Sequence, residues 1–230
     1  MWMVALMKKV ISFSLWGENK KYTIGAIKNA DLATSFYPDW ICRFYVAKNV
    51  PLQVIQELLA RNNTEIFVMN GKPDWTGMFW RFFAACDPFV DVMISRDTDS
   101  RLGEREMLAV KEWENSDWGF HIMRDHPRHG TKILGGMWGI KRGIVQNMAE
   151  LIGNYHKGNF YQVDQNFLRE VIYPLIHDNA LIHDPIFDEK PFPSKRVGYQ
   201  FVGQVFDEHD QPVVSHLEDL KEFLRGRSGE

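Results

Sequence analysis

The chain has 230 residues, 45% of them apolar and 25% charged, with a formal net charge of −3, an ordinary globular balance that one substantial core accommodates. A slightly acidic chain argues against nucleic acid, or an anionic membrane surface, as its default partner. Two cysteines, Cys42 and Cys86, both in apolar surroundings, argue against a disulfide scaffold and against a cysteine-built zinc site, so a reducing, cytoplasmic location is expected.

The opening run through Lys9 is apolar but too short to span a bilayer, its charges follow the apolar part instead of preceding it, and Met7 is a natural first residue. No later segment reaches a transmembrane length. From Val10 the pattern alternates: strand to Leu15, helix Tyr22 to Tyr37, strand Ile41 to Val46, helix Leu52 to Asn62, strand Glu65 to Met69, and an apolar helix Trp75 to Ala85. Strands alternating with helices imply a parallel, right-handed crossover sheet. No G-x-G-x-x-G follows the first strand, so a dinucleotide-binding reading lacks its phosphate loop. Further on we expect a strand from Val90 to Ser95, a helix from Gly103 to Asn115 and a strand from Gly119 to Arg124. After a loop over 126–132 come a glycine-broken strand from Ile133 to Ile140, helices Gly143 to Gly153 and Tyr161 to Ile176, a strand ending at His183, and a terminal helix from Leu217.

The most informative stretch runs from Val90 to Arg101, where an apolar strand delivers Asp97 and Asp99 to its polar end. Strands in open α/β sheets carry ligand groups just past their carboxyl ends. Two aspartates one residue apart suit Mn²⁺ or Mg²⁺, hard ions that are commonly completed by phosphate oxygens. A polar turn explains the same triplet. Arg96, Arg101 and Arg105 either surround a phosphate or neutralise Asp97, Asp99, Glu104 and Glu106. Upstream, Arg81 stands alone among the aromatics of Trp75 to Phe83 and needs a partner.

The order of Trp80-Arg81-Phe82, Asp87, apolar strand and Asp97-Thr98-Asp99 resembles the GT-A type nucleotide-sugar glycosyltransferases that carry a DXD motif. The resemblance implies a single Rossmann-like α/β domain over 1–230 with a mostly parallel central sheet flanked by helices. A nucleotide-binding half would cover about 8–101, an acceptor- and sugar-binding half about 102–216, and a C-terminal helix and tail 217–230. It implies that Arg81 holds the nucleotide end of a nucleoside diphosphate sugar, UDP- or GDP-hexose, and that Asp97 and Asp99 grip the metal, with His183 completing its shell. Ser14, Trp16 and Tyr22, at the end of the first strand and just beyond, would meet the base. Gly135 and Gly136 would let the backbone approach the donor sugar, Asp164 would bind donor hydroxyls, and Gln165 would face the anomeric carbon, which leans toward retention. A glycan or other hydroxyl compound would be the acceptor.

Each of these residues also has a bland reading: Gly135-Gly136 as a bulge, Asp164 as a helix cap, His183 as a strand-end cap. In Arg124-Asp125-His126-Pro127-Arg128-His129, zinc is unsupported because Pro127 keeps the two histidines off one helical face. The functional reading makes Asp125 the general base that deprotonates the acceptor hydroxyl, with His126 or His129 as further contacts; the other reading is a polar loop. Two alternative functions stand beside the transferase. Asp97 to Leu102 also resembles the nucleophile strand of haloacid-dehalogenase-type phosphatases, with Asp184 and Asp188 as the later acidic pair, although that motif belongs on a first strand. A sugar-binding module without turnover would keep the aromatics alone.

Overall fold

Strand β1 (Lys9–Leu15) alternates in a way that sets both layers of the protein. Ile11, Phe13 and Leu15 belong to one apolar cluster, Val10 to the other. Ser12 and Ser14 share the second face, where a central strand would ordinarily be apolar throughout. Both hydroxyls are used there: Ser12 donates to the Arg81 carbonyl at 2.6 Å, and Ser14 accepts from the Arg81 N–H at 2.9 Å.

The computed structural model describes residues 7–227; most of the opening apolar run, residues 1–6, and the tail 228–230 lie outside the described residues. Helix α1 (Lys20–Phe36) leads to β2 (Trp40–Ala47), α2 (Leu52–Leu59) to β3 (Thr64–Met69), and a 3₁₀ helix (Trp75–Cys86) to β4 (Val92–Ser95). After α3 (Glu104–Glu114) come β5 (Phe120–Met123), β6 (Trp138–Lys141), α4 (Met148–Asn154) and a helical run from α5 (Val163–Phe167) to α6 (Tyr173–Ile176). Strand β7 (Ala180–His183) and helix α7 (Val214–Arg227) follow. The seven strands form one sheet in the order β3-β2-β1-β4-β6-β5-β7. All neighbours are parallel except at β6, which runs antiparallel to both β4 and β5. The α/β class and the mostly parallel sheet expected from the sequence are therefore what the chain adopts. Among the described residues no helix is long and apolar enough to cross a membrane.

Several boundaries differ from expectation for physical reasons. Helix α1 begins two residues earlier, because Asn19 caps it by accepting from the Lys21 N–H. The strand expected from Ile133 is extended only from Trp138. Its first part turns so that the Gly135 carbonyl accepts from Ser95 Oγ (2.7 Å) and Trp138 Nε1 (3.1 Å). Between α5 and α6 the run contains a π-helical turn, Leu168–Ile172, in which the Tyr173 N–H reaches the Leu168 carbonyl. Pro174 explains it: proline supplies no N–H and crowds the carbonyl four residues back.

One buried polar brace ties the end of α1 and the start of α3 to the site strand. Arg96, just past β4, is fully buried and pairs with Glu106 of α3 at 3.0 Å, and Tyr37 donates to the same carboxylate oxygen at 3.1 Å. A buried charge that loses its partner is costly. Glu106→Leu is therefore expected to lower unfolding free energy by about 3–5 kcal/mol, read by urea denaturation at neutral pH. A loss under about 1 kcal/mol would show that the brace does not hold β4 in place.

Candidate functional site

A cleft of about 260 Å³ opens at the carboxyl ends of β1 and β4, where open α/β sheets bind ligands. Among the residues expected at a donor site, Ser14, Trp16, Tyr22, Arg81, Asp97, Asp99, Gly135 and Gln165 all line it. Asp164 lies directly behind its wall, fully buried, and Gly136 packs beneath Asp97.

Arg81 organises this wall. Its guanidinium is buried and donates through Nη1 to Asp97 Oδ1 (2.5 Å) and through Nη2 to Asp164 Oδ2 (2.7 Å). The lone cation in the aromatic helix thus has two partners, from segments 16 and 83 residues away. Asp164 does not cap its helix. Gln162, held in the left-handed region at φ 69°, begins α5 and leaves Asp164 in the first turn, facing Arg81. Both glycines are required by close approach. A Cβ at Gly135 would overlap the Arg81–Asp164 pair, and one at Gly136 would overlap the Asp97 carboxylate.

Asp99 has its own cation, Lys21, with Nζ at 2.7 Å from Oδ2. Burial, and then the charge of Asp97, hold the Asp99 carboxyl above the usual carboxylate range. Burial likewise raises Asp164, against the opposing pull of Arg81. Lys21 escapes a reading that starts the helix at Tyr22. Trp75 and Tyr161 also line the cleft, edge to face at 5.3 Å, both substantially exposed. Their 86-residue separation leaves no local signal. Val205 reaches the cleft because its segment pairs with the motif loop: Ser100 bridges Val205, and the Phe206 N–H donates to the Asp99 carbonyl at 2.8 Å.

His183 is not brought to the aspartates. It ends β7, three strand positions from β4, about 14 Å at the usual spacing. There it is buried, with Nδ1 at 2.8 Å from His121 Nε2 and Nε2 at 3.4 Å from Glu112. Among the described residues no group of three His, Cys, Asp or Glu side chains is placed to hold a metal ion. Among the described residues, the carboxylates that line the cleft are Asp97 and Asp99. Their hard oxygens are of the kind that suits Mn²⁺ or Mg²⁺, an ion that would need phosphate oxygens and water for the rest of its shell.

Asp125 is also elsewhere. It is fully buried and spent: Arg105 grips both oxygens (2.9 and 3.1 Å), Arg196 adds a bond at 2.6 Å, and the Val202 N–H one at 3.0 Å. A carboxylate so engaged clamps the 194–202 segment and does not line the cleft. The flanking arginines are committed as well, Arg96 to Glu106, Arg101 to Asp210 and Arg105 to Asp125. His126 accepts from the Arg128 N–H through Nδ1, so its Nε2 donates to the His216 carbonyl at 2.8 Å. His129 accepts from the Asp125 N–H at 3.1 Å. His126 thereby stitches the loop to the start of α7, while His129 closes the loop on itself.

No family model matches the chain, and no curated protein sequence matches it. Solved structures are similar to it in fold. A glycosyltransferase involved in glycosylation of the major capsid of PBCV-1 is 13% identical, with 77% of this chain and 82% of that one covered and a TM-score of 0.51. Glucosyl-3-phosphoglycerate synthase from Mycobacterium tuberculosis, in complex with uridine diphosphate, is 13% identical over 98% of this chain and 81% of that one (TM-score 0.51). A second structure of that synthase holds Mn²⁺, UDP-glucose and phosphoglyceric acid (TM-score 0.50). The 4-diphosphocytidyl-2C-methyl-D-erythritol synthase from Anaerococcus prevotii is 9% identical over 82% and 94% (TM-score 0.50). Likeness at these identities establishes the GT-A, Rossmann-like fold, which proteins of different names share.

Burial, and then the neighbouring His126 and His216, push His129 down to about 3. An unfolded histidine takes its proton near 6.5, so between pH 6.5 and 3 the unfolded chain binds the extra proton. This contribution is complete above pH 6.5 and is lost as the pH falls, by about 1.4 kcal/mol per unit. Urea midpoints are expected to drop from pH 7 to pH 5 and to drop less steeply in His129→Asn; parallel slopes would contradict a ring held neutral in the folded protein.

Proposed function

We propose that the protein is a glycosyltransferase that moves a hexose from a nucleoside diphosphate sugar, UDP- or GDP-linked, to a hydroxyl acceptor on a glycan or glycoconjugate. The observation that carries this reading is Arg81 tying Asp97, at the carboxyl end of β4, to Asp164 beside Gln165, with Asp99 opening on the same cleft. The fold is shared with structures named as glycosyltransferases, one of them solved with Mn²⁺ and UDP-glucose.

In this reading Tyr22 and Trp16 face the base, while Gly135 and Gln165 face the donor sugar and Asp164 supports that wall from behind through Arg81. Asp97 and Asp99 would hold Mn²⁺ or Mg²⁺. Such an ion, when bound, offsets the negative charge that grows on the departing diphosphate. Arg81 keeps Asp97 in one orientation, so the carboxylate meets its ligand without reorganising. Trp75 and Tyr161 form an apolar lip suited to a sugar ring and to excluding water. Both cleft carboxylates already carry a cation, which leaves the departing diphosphate oxygen as the acceptor for the hydroxyl proton and favours retention. The phosphatase alternative loses its second acidic pair, because Asp184 and Asp188 converge on Arg124 instead of the cleft.

A thermal-shift screen of nucleoside diphosphates and their sugars, with and without Mn²⁺, is expected to give an ion-dependent rise in midpoint for one base, since a ligand of the folded state stabilises it by mass action. Asp99→Ala should abolish the ion-dependent part in calorimetry. Release of nucleoside diphosphate from the donor separates an enzyme from a binding module. If no nucleotide shifts the midpoint under either condition, the reading fails.

A further inference from the structure

We infer that Lys21 is a built-in counter-ion for the second motif aspartate, competing with a divalent cation for Asp99 and so setting how tightly the cleft takes metal before nucleotide arrives. The inference rests on the transferase reading, but its observations are its own. Lys21 Nζ sits 2.7 Å from Asp99 Oδ2, and its side chain is only 28% exposed. The Lys21 ammonium also lies over the Tyr22 ring, 5.2 Å from its centroid. It is held there by more than its own flexibility. Lys21, Gly25 and Asn29 fall at successive four-residue steps on α1 and form one stripe, and the whole stripe grips the motif loop. The Thr98 carbonyl occupies the space of a Gly25 side chain. Asn29 donates to the Ser100 carbonyl (2.9 Å) and accepts from the Leu102 N–H (3.0 Å).

Charge counting shows what this arrangement does. Asp97, Asp99 and Asp164 face Arg81 and Lys21, three carboxylates against two cations. A diphosphate alone therefore meets an acidic site, while a divalent ion reverses the sign and admits it. Binding that ion through Asp99 means displacing the Lys21 ammonium, and two cations sharing one carboxylate repel each other. The displaced ammonium stays beside the cleft on its four-carbon stem, one positive charge available to the phosphates. Metal and nucleotide are thus coupled: the ion binds weakly alone and more firmly with its substrate.

The test is Mn²⁺ titration of the full chain, read by the electron paramagnetic resonance of free Mn²⁺, without nucleotide and with UDP or GDP. Without nucleotide, Lys21→Met is expected to bind Mn²⁺ about fivefold or more tightly than wild type, reflecting the removed repulsion. Lys21→Gln should behave alike, and Lys21→Arg should stay within about twofold of wild type. The gain should vanish when Asp99→Asn is added. Unchanged or weaker Mn²⁺ binding in both Lys21→Met and Lys21→Gln, in a wild type that does bind the ion, overturns the role of Lys21 and leaves the transferase reading standing. Wild type that takes no Mn²⁺ in either arm overturns the metal reading itself, and this inference with it.

Discussion

A guanidinium shut away from water has to be paired, and in this protein the pairing of Arg81 determines where everything else in the cleft can stand. Two carboxylates from distant segments converge on it, because an unpaired buried charge costs far more than any rearrangement of loops. The backbone of the same residue is fixed from the other side by Ser12 and Ser14 of β1. A strand, a 3₁₀ helix, the motif loop and α5 are thereby locked at one point. The glycines at 135 and 136 follow from that lock, since any side chain there would collide with its members.

The second constraint is steric and lies on α1. Contact between helix and loop is so close at Gly25 that the Thr98 carbonyl takes the place of a side chain. Backbone groups of the loop that water cannot reach are satisfied by Asn29 instead. Rigid support of this kind under a short acidic loop is what lets two aspartates keep one geometry while their charges repel.

Much of the fold is legible in the sequence because parallel strands buried on both faces leave apolar runs, and because loops announce themselves with Gly, Asn and Pro. The aspartate pair and Arg81, the one cation within its aromatic run, are legible for a similar reason: charged groups stand out against apolar neighbours. What is hidden depends on lateral position in the sheet. His183 and Asp125 both sit at strand ends, as a binding residue should, but strand order places them near the far edge, where Arg105, Arg196, His121 and Glu112 engage them. Nothing local distinguishes an aspartate that faces substrate from one clamped by two arginines that arrive 20 residues before it and 71 after. The π-helical turn, by contrast, is signalled by Pro174, a residue whose missing N–H has to be accommodated somewhere in the run.

Strand β6 has an implication for how the molecule is made. It fills the gap between β4 and β5 and runs against both, so a nascent polypeptide emerging in order displays β4 as a bare hydrogen-bonding edge until residues 138–141 have been synthesised. Exposed edges of that kind invite pairing with other chains. The delay spans α3, β5 and the histidine loop, and closure of the sheet waits for a segment more than forty residues downstream. Assembly of this protein is therefore a race between insertion of one short glycine-led strand and self-association of its unfinished neighbour.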